Sequence, residues 1–280
     1  MQSIARRVFE LGTYPAAAAL SGILLVLTTI TPLRSHADHS AKSKPTIVLV
    51  HGAFADSSSW NRVAIRLLYE GYPVVAASNP LRGVKDDADY VANLLDTIEG
   101  PVILVAHSYG GMVISAAAVG KRNVKALVYV NAFAPDSGES ALTLSSKFPG
   151  SSLLDALAPP VPLSDGSSDL YIQQGKFLQV FAPDLPASEA KVLAATQRPG
   201  RDSGLSEIAG APAWKTIPSF FLYGTMDQII PPALHAFMAE RAQARKNVVV
   251  TGASHVVMIS HPDAVLRLIA DATAATAAPR

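Results

Sequence analysis

The chain has 280 residues, 49% of them hydrophobic and 16% charged, and a net charge of +1. That balance suits a packed globular protein of one large domain and excludes the strongly basic surface that nucleic-acid binding uses. No cysteine is present, which excludes disulfides, thiol nucleophiles and cysteine-held metals.

Taken in chain order, residues 1–37 read as a secretory signal. Arg6 and Arg7 make a basic start, Ala16 to Thr31 is an uncharged apolar run, and Ser35-His36-Ala37 fits a small-x-small cleavage site. The run is shorter than the ~20 residues of a membrane span. The expectation is a cleaved leader, an exported protein of the periplasm or extracellular space, and no stable membrane insertion after cleavage. A retained anchor is the alternative. ARRVFEL, Ala5 to Leu11, partly matches a twin-arginine signal, so Sec and Tat export both stay open.

Residues 38–280 read as one domain. Residues 38–45 are a polar linker. Six short apolar pulses, five of them rich in valine or isoleucine, follow at 46–50, 73–77, 101–106, 124–130, 219–224 and 247–251, the pattern of strands buried on both faces. Helical spacing fills the gaps: WNRVAIRLLYEG closes on Gly71, and DDADYVANLLDTIEG opens on acids and closes on Gly100. This alternation predicts an α/β fold, a mostly parallel sheet of about six to eight strands flanked by helices. Residues 132–216 break the rhythm with Pro, Ser and Asp and with helical patches at YIQQGKFLQVF and ASEAKVLAATQ. They read as a small helical cap inserted over the sheet edge. Its Leu153, Leu154, Leu157, Tyr171, Phe177, Leu178 and Phe181 would form an apolar lid if they face the sheet.

The segment VAHSYGGM, Val105 to Met112, lies where a buried strand becomes a helix. A serine in such a turn has its hydroxyl thrust out of the sheet top, the arrangement of a nucleophile elbow, G-x-S-x-G. Gly110 and Gly111 supply the small residues after Ser108. Ala106 stands where the first glycine is expected, a departure of one methyl. A serine nucleophile needs a base, and the base needs an orienting acid. Asp227 follows the 219–224 pulse and His255 follows the last pulse, so Ser, Asp and His come at strand ends in that order. Asp136 is the alternative acid. His261 is the alternative base, although before Pro262 it reads as a helix start. Ala53, in LVHGAFADSSSW, and Tyr109 would offer backbone N–H groups to an oxyanion. His51 reads as a structural residue of that loop. The seven histidines show no metal-ligand spacing, and no cofactor is implied.

Together VLVHGAFADSSSW, VAHSYGGM, LYGTMDQIIPP and GASHVVMISHP resemble the α/β-hydrolase superfamily over Thr46 to Ala270. Within it they are similar to the small serine-esterase branch of bacterial carboxylesterases, plant methylesterases and hydroxynitrile lyases. The resemblance implies an eight-stranded sheet and the roles nucleophile, acid and base for Ser108, Asp227 and His255. It implies hydrolysis of a small-molecule ester. A hydroxynitrile-lyase-like or perhydrolase activity with the same three residues, or a non-catalytic ligand-binding role, are the alternatives. The lyase branch often uses a cation beside the serine, and no lysine lies in the loops assigned here. Oligomeric state is left open.

Overall fold

A computed structural model describes residues 44–277, so the leader reading of residues 1–37 lies outside the described residues. Among the described residues nine strands occur in chain order: β1 Thr46–Val50, β2 Val74–Ala77, β3 Val102–Ser108, β4 Val124–Ala132, β5 Val161–Pro162, β6 Ser168–Leu170, β7 Gly200–Arg201, β8 Ser219–Gly224 and β9 Lys246–Val250. Six of them form one parallel sheet in the order β2-β1-β3-β4-β8-β9. Each starts within one residue of its apolar pulse.

β3 and β4 are the centre of the sheet, and every residue of β3 is buried. A strand covered on both faces has no solvent side, which is why Val, Ile and Leu run there without alternation. The helices α1, Asn61–Tyr69, α2, Val84–Asp96, and α3, Gly110–Ala117, follow β1, β2 and β3. α3 is buried along nearly its whole length, consistent with its Gly- and Ala-rich sequence. Among the described residues no helix is long and apolar enough to cross a membrane.

The six strands of the main sheet fall within the six to eight expected, and the two further strands of the family's eight are not seen among the described residues. Lys44 and Pro45 lead into β1 without strand structure. The inserted segment between β4 and β8 does carry the two helices read from the sequence, Gln174–Val180 and Ala187–Thr196. It also holds a small antiparallel sheet, β5-β6-β7, whose two- and three-residue strands are too short to show any periodicity. Of the apolar residues expected to form a lid, Phe177 and Phe181 are fully buried, whereas Leu154 and Leu178 face solvent.

The start of the insertion is fastened by charge. Glu139 accepts hydrogen bonds from Arg241 and Lys147 at 2.8 Å each and from the Asp136 N–H at 2.8 Å. Arg241 also donates to the Ala134 carbonyl at 2.8 Å. Burial alone would raise the Glu139 carboxyl, but these donors outweigh it and bring it to about 2. A carboxylate depressed in the folded state stabilises the fold above its unfolded value and loses that contribution as pH falls through the folded one. The parent should therefore lose stability between pH 4.5 and about 2 more steeply than Glu139→Gln. Urea unfolding at a series of pH values checks this, and equal slopes would rule it out.

Candidate active site

Ser108 is the last residue of β3 and has φ 53°. For a residue with a side chain this left-handed backbone is strained, and such strain persists only where the surroundings over-determine it. Here β4 inserts one extra residue opposite the elbow, so that His107 pairs with Val130 and Ser108 with Ala132. Phe133 N–H then donates to the Ser108 carbonyl at 3.1 Å. A Cβ on Gly110 would lie 2.7 Å from the Val50 carbonyl oxygen, which explains the glycine after Tyr109. Ala106 is wholly buried between β1 and β4, and its methyl is accommodated there.

The loop after β1 lies directly against this elbow. A Cβ on Gly52 would stand 2.6 Å from Ser108 Cβ and 2.8 Å from the His107 carbonyl, so only glycine lets the two backbones meet. The Phe54 N–H is committed to the Arg198 carbonyl at 2.9 Å. No backbone carbonyl among the described residues accepts from the Ala53 or Tyr109 N–H. The Tyr109 side chain turns away and donates to the buried Asp87 at 2.9 Å.

Asp227 and His255 are brought together. His255 Nδ1–H donates to the Asp227 carboxylate at 2.9 Å to Oδ2 and 3.0 Å to Oδ1. Oδ1 also accepts the N–H groups of Ile229 and Ile230 at 2.9 and 3.0 Å. Both side chains are fully buried. Burial works to raise the Asp227 carboxyl, but the charge of His255 and the hydrogen bonds from His235 and His255 outweigh it and hold it well below the usual carboxylate range. His255 Nε2 is buried and has no hydrogen-bond partner among the described residues. No hydrogen bond therefore joins Ser108 to His255 among the described residues.

Four residues that the sequence left unassigned shape the site. His107 Nε2–H donates to the His255 carbonyl at 2.9 Å, and the two rings lie 4.6 Å apart between centroids. This contact joins the residue before the serine to the base. Burial, ahead of the charge of His255, keeps His107 well below the usual histidine range and hence neutral. Asn131, the extra residue of β4 with φ 42°, accepts from Gly224 N–H at 2.9 Å and donates to the Ser254 carbonyl at 2.7 Å. It ties the end of β8 to the loop that carries His255. His235, in the helix Pro232–Arg241, is a second donor to Asp227, at 3.0 Å to Oδ2. Asp184, from the insertion, accepts from Ser254 N–H at 2.9 Å and from the Ser254 hydroxyl. Asn at a strand end was a visible signal; His235 and the Asp184 contact had none.

The alternatives are placed elsewhere. Asp136 pairs with Lys215 at 2.5 Å, and that contact lowers its carboxyl, so the loop carboxylate does have a partner, but a lysine. His261 precedes the helix Pro262–Thr276 and bonds to the Ser260 hydroxyl at 2.8 Å. His51 Nδ1–H donates to the Gly52 carbonyl at 2.9 Å, as a loop-holding residue would.

Residues 47–268 match the alpha/beta hydrolase family, and the chain belongs to it. It is 24% identical over 241 residues to an alpha-hydroxynitrile lyase of Arabidopsis thaliana, covering 78% of this chain and 93% of that one. It is 26% identical over 254 residues to a pimeloyl-[acyl-carrier protein] methyl ester esterase of Neisseria meningitidis, covering 82% and 78%. The solved structure of polyneuridine aldehyde esterase is similar in fold, with a TM-score of 0.71 at 18% identity over 82% of this chain and 99% of that one.

The insertion closes the site. The Phe181 ring stands edge-on to the His255 ring at 4.9 Å and to Phe54 at 6.3 Å, and Ser108 is only 5% exposed. Asp184→Ala removes its grip on the Ser254 N–H and hydroxyl. Amide hydrogen exchange should quicken in residues 177–185 and 254–260 with the sheet unaffected; unchanged exchange there would show that Asp184 is not the tie.

Proposed function

We propose that this protein is a serine hydrolase of small carboxylic esters that works through an acyl-enzyme on Ser108. The observation that carries the reading is the His255 Nδ1–H bonded to a buried, ionised Asp227 while Nε2 stays free. That tautomer leaves a lone pair on Nε2 to take a proton. In this reading His255 draws the proton from Ser108, and Oγ attacks the ester carbonyl. The oxyanion is held by the Ala53 and Tyr109 N–H groups, which have no backbone partner among the described residues. Collapse expels the alcohol, which receives the proton from His255. Water, deprotonated by the same histidine, then releases the acid and restores Ser108. Asp227 fixes the tautomer and stabilises the imidazolium without accepting its proton.

The relatives support this at the level of class, since one is named as a methyl ester esterase. The other is named as an alpha-hydroxynitrile lyase and keeps a second reading open: the same three residues acting as a base, with no acyl-enzyme. We also propose that the protein is exported, on the basis of residues 1–37. Mass spectrometry of the secreted or periplasmic protein should find Asp38 first, and an intact Met1 in a membrane fraction would contradict export with cleavage.

Ser108→Ala should cut turnover of a chromogenic acetate ester by several orders of magnitude, since members of such a unit act together, and should leave the melting temperature nearly unchanged. A fluorophosphonate should label Ser108. Asp227→Asn should fold and lose roughly three to four orders of magnitude in turnover, while Asp136→Asn should stay within roughly tenfold of the parent as a surface substitution. Full turnover in Ser108→Ala would remove the hydrolase reading.

A further inference from the structure

The Asp227 carboxylate has more partners than an acid that serves one histidine needs. Oδ1 takes two backbone N–H groups, from Ile229 and Ile230. Oδ2 takes His255 at 2.9 Å and His235 at 3.0 Å. The two histidines come from different places: His255 from the loop after β9, and His235 from the first turns of the helix Pro232–Arg241. A carboxylate has no proton to give here, so both rings must donate, His255 through Nδ1 and His235 through Nε2. His235 is fully buried and lies flat on the Tyr223 ring, with centroids 5.1 Å apart and planes at 12°. The stacking fixes the plane in which its N–H points.

We propose that His235 is a positioning residue: its Nε2–H pins Oδ2 of Asp227 so that the carboxylate can neither turn away from His255 nor pull too strongly on its proton. The proposal rests on the serine-hydrolase reading and names what sets the strength of its acid. Two physical consequences follow. With Oδ1 held by two amides and Oδ2 by His235, the carboxylate plane is fixed, and the His255 ring is fixed with it. A hydrogen bond donated to a carboxylate also withdraws part of its negative charge. The His255 imidazolium is then stabilised less than a bare carboxylate would stabilise it. The titratable groups that face His235 are Asp227, from the loop before its own helix, and His255, from the loop after β9, with Tyr223 of β8 beneath it. Burial, which outweighs the raising effect of Asp227, keeps His235 itself from taking a second proton. It therefore acts as a fixed neutral donor.

The test compares four full-length proteins: the parent, His235→Phe, His235→Met and His235→Gln. Phe and Met fill the site without a donor, and Gln restores an N–H. Hydrolysis of p-nitrophenyl acetate is followed from pH 5 to 9. With Phe or Met, kcat should fall by roughly tenfold or more while KM stays within about twofold, because only orientation of the acid is lost. The acid limb of the kcat/KM profile should move to higher pH, and Gln should bring both back toward the parent. Proton NMR of the downfield His255 Nδ1–H gives a second readout that does not depend on turnover: its position should change in Phe and Met and return in Gln. If Phe fails to fold, Met carries the comparison. Variants that match the parent in kcat, pH profile and proton signal would overturn the proposal. So would Gln, Phe and Met falling equally with an unmoved acid limb, which would mean that His235 only fills space. A parent that turns over no ester overturns the hydrolase reading instead, and the proton signal still decides the role of His235.

Discussion

A carboxylate with no access to water is the constraint around which this site is built. An isolated ionised Asp in a dry interior is strongly unfavourable, and it survives only where donors replace its hydration. Asp227 finds four: the N–H groups of Ile229 and Ile230 and the rings of His235 and His255. Each donor must be held in turn. The two amides belong to the tight turn that leads into the Pro232–Arg241 helix, His235 is stacked on β8, and His255 is held through its own carbonyl by His107. Removing Asp227 would therefore leave two buried imidazoles without their acceptor.

The same logic explains why the nucleophile loop tolerates strain. Ser108 sits at φ 53° because the β4 insertion, the bond from Phe133 and the approach of Gly52 leave the backbone no other path. Asn131, the residue that β4 inserts, does further work by bonding to Gly224 and Ser254. One irregularity in the sheet thus shapes the elbow and aligns the end of β8 with the loop after β9. The insertion adds a third set of contacts through Asp184 on Ser254 and Phe181 on His255.

Much of this is legible in the sequence where the signal is local. Strands buried on both faces announce themselves as short unbroken apolar pulses, and β1 and β8 match theirs residue for residue. Ser108, Asp227 and His255 are legible because each stands just past such a pulse. His235 is not, because a histidine in an amphipathic helix looks the same whether it fills the core or donates to an acid. His107 is hidden by its place inside the elbow motif, where the serine draws attention. The inserted segment is the least legible part. Its strands are two or three residues long, and its leucines do not divide into inward and outward faces by spacing: Phe177 is buried while the adjacent Leu178 faces solvent. Its contacts to the sheet, such as Asp184 to Ser254, join residues 70 positions apart.

The most direct test is to catch the intermediate. The parent is mixed with a chromogenic acetate ester, quenched with acid within milliseconds and digested, and the peptide that spans Val105 to Met112 is weighed. The account predicts an acetyl group on Ser108 that forms as fast as the alcohol is released and decays at the rate of steady-state turnover. Ester turnover with no acyl group on that peptide at any time, or with the group on another residue, would contradict it.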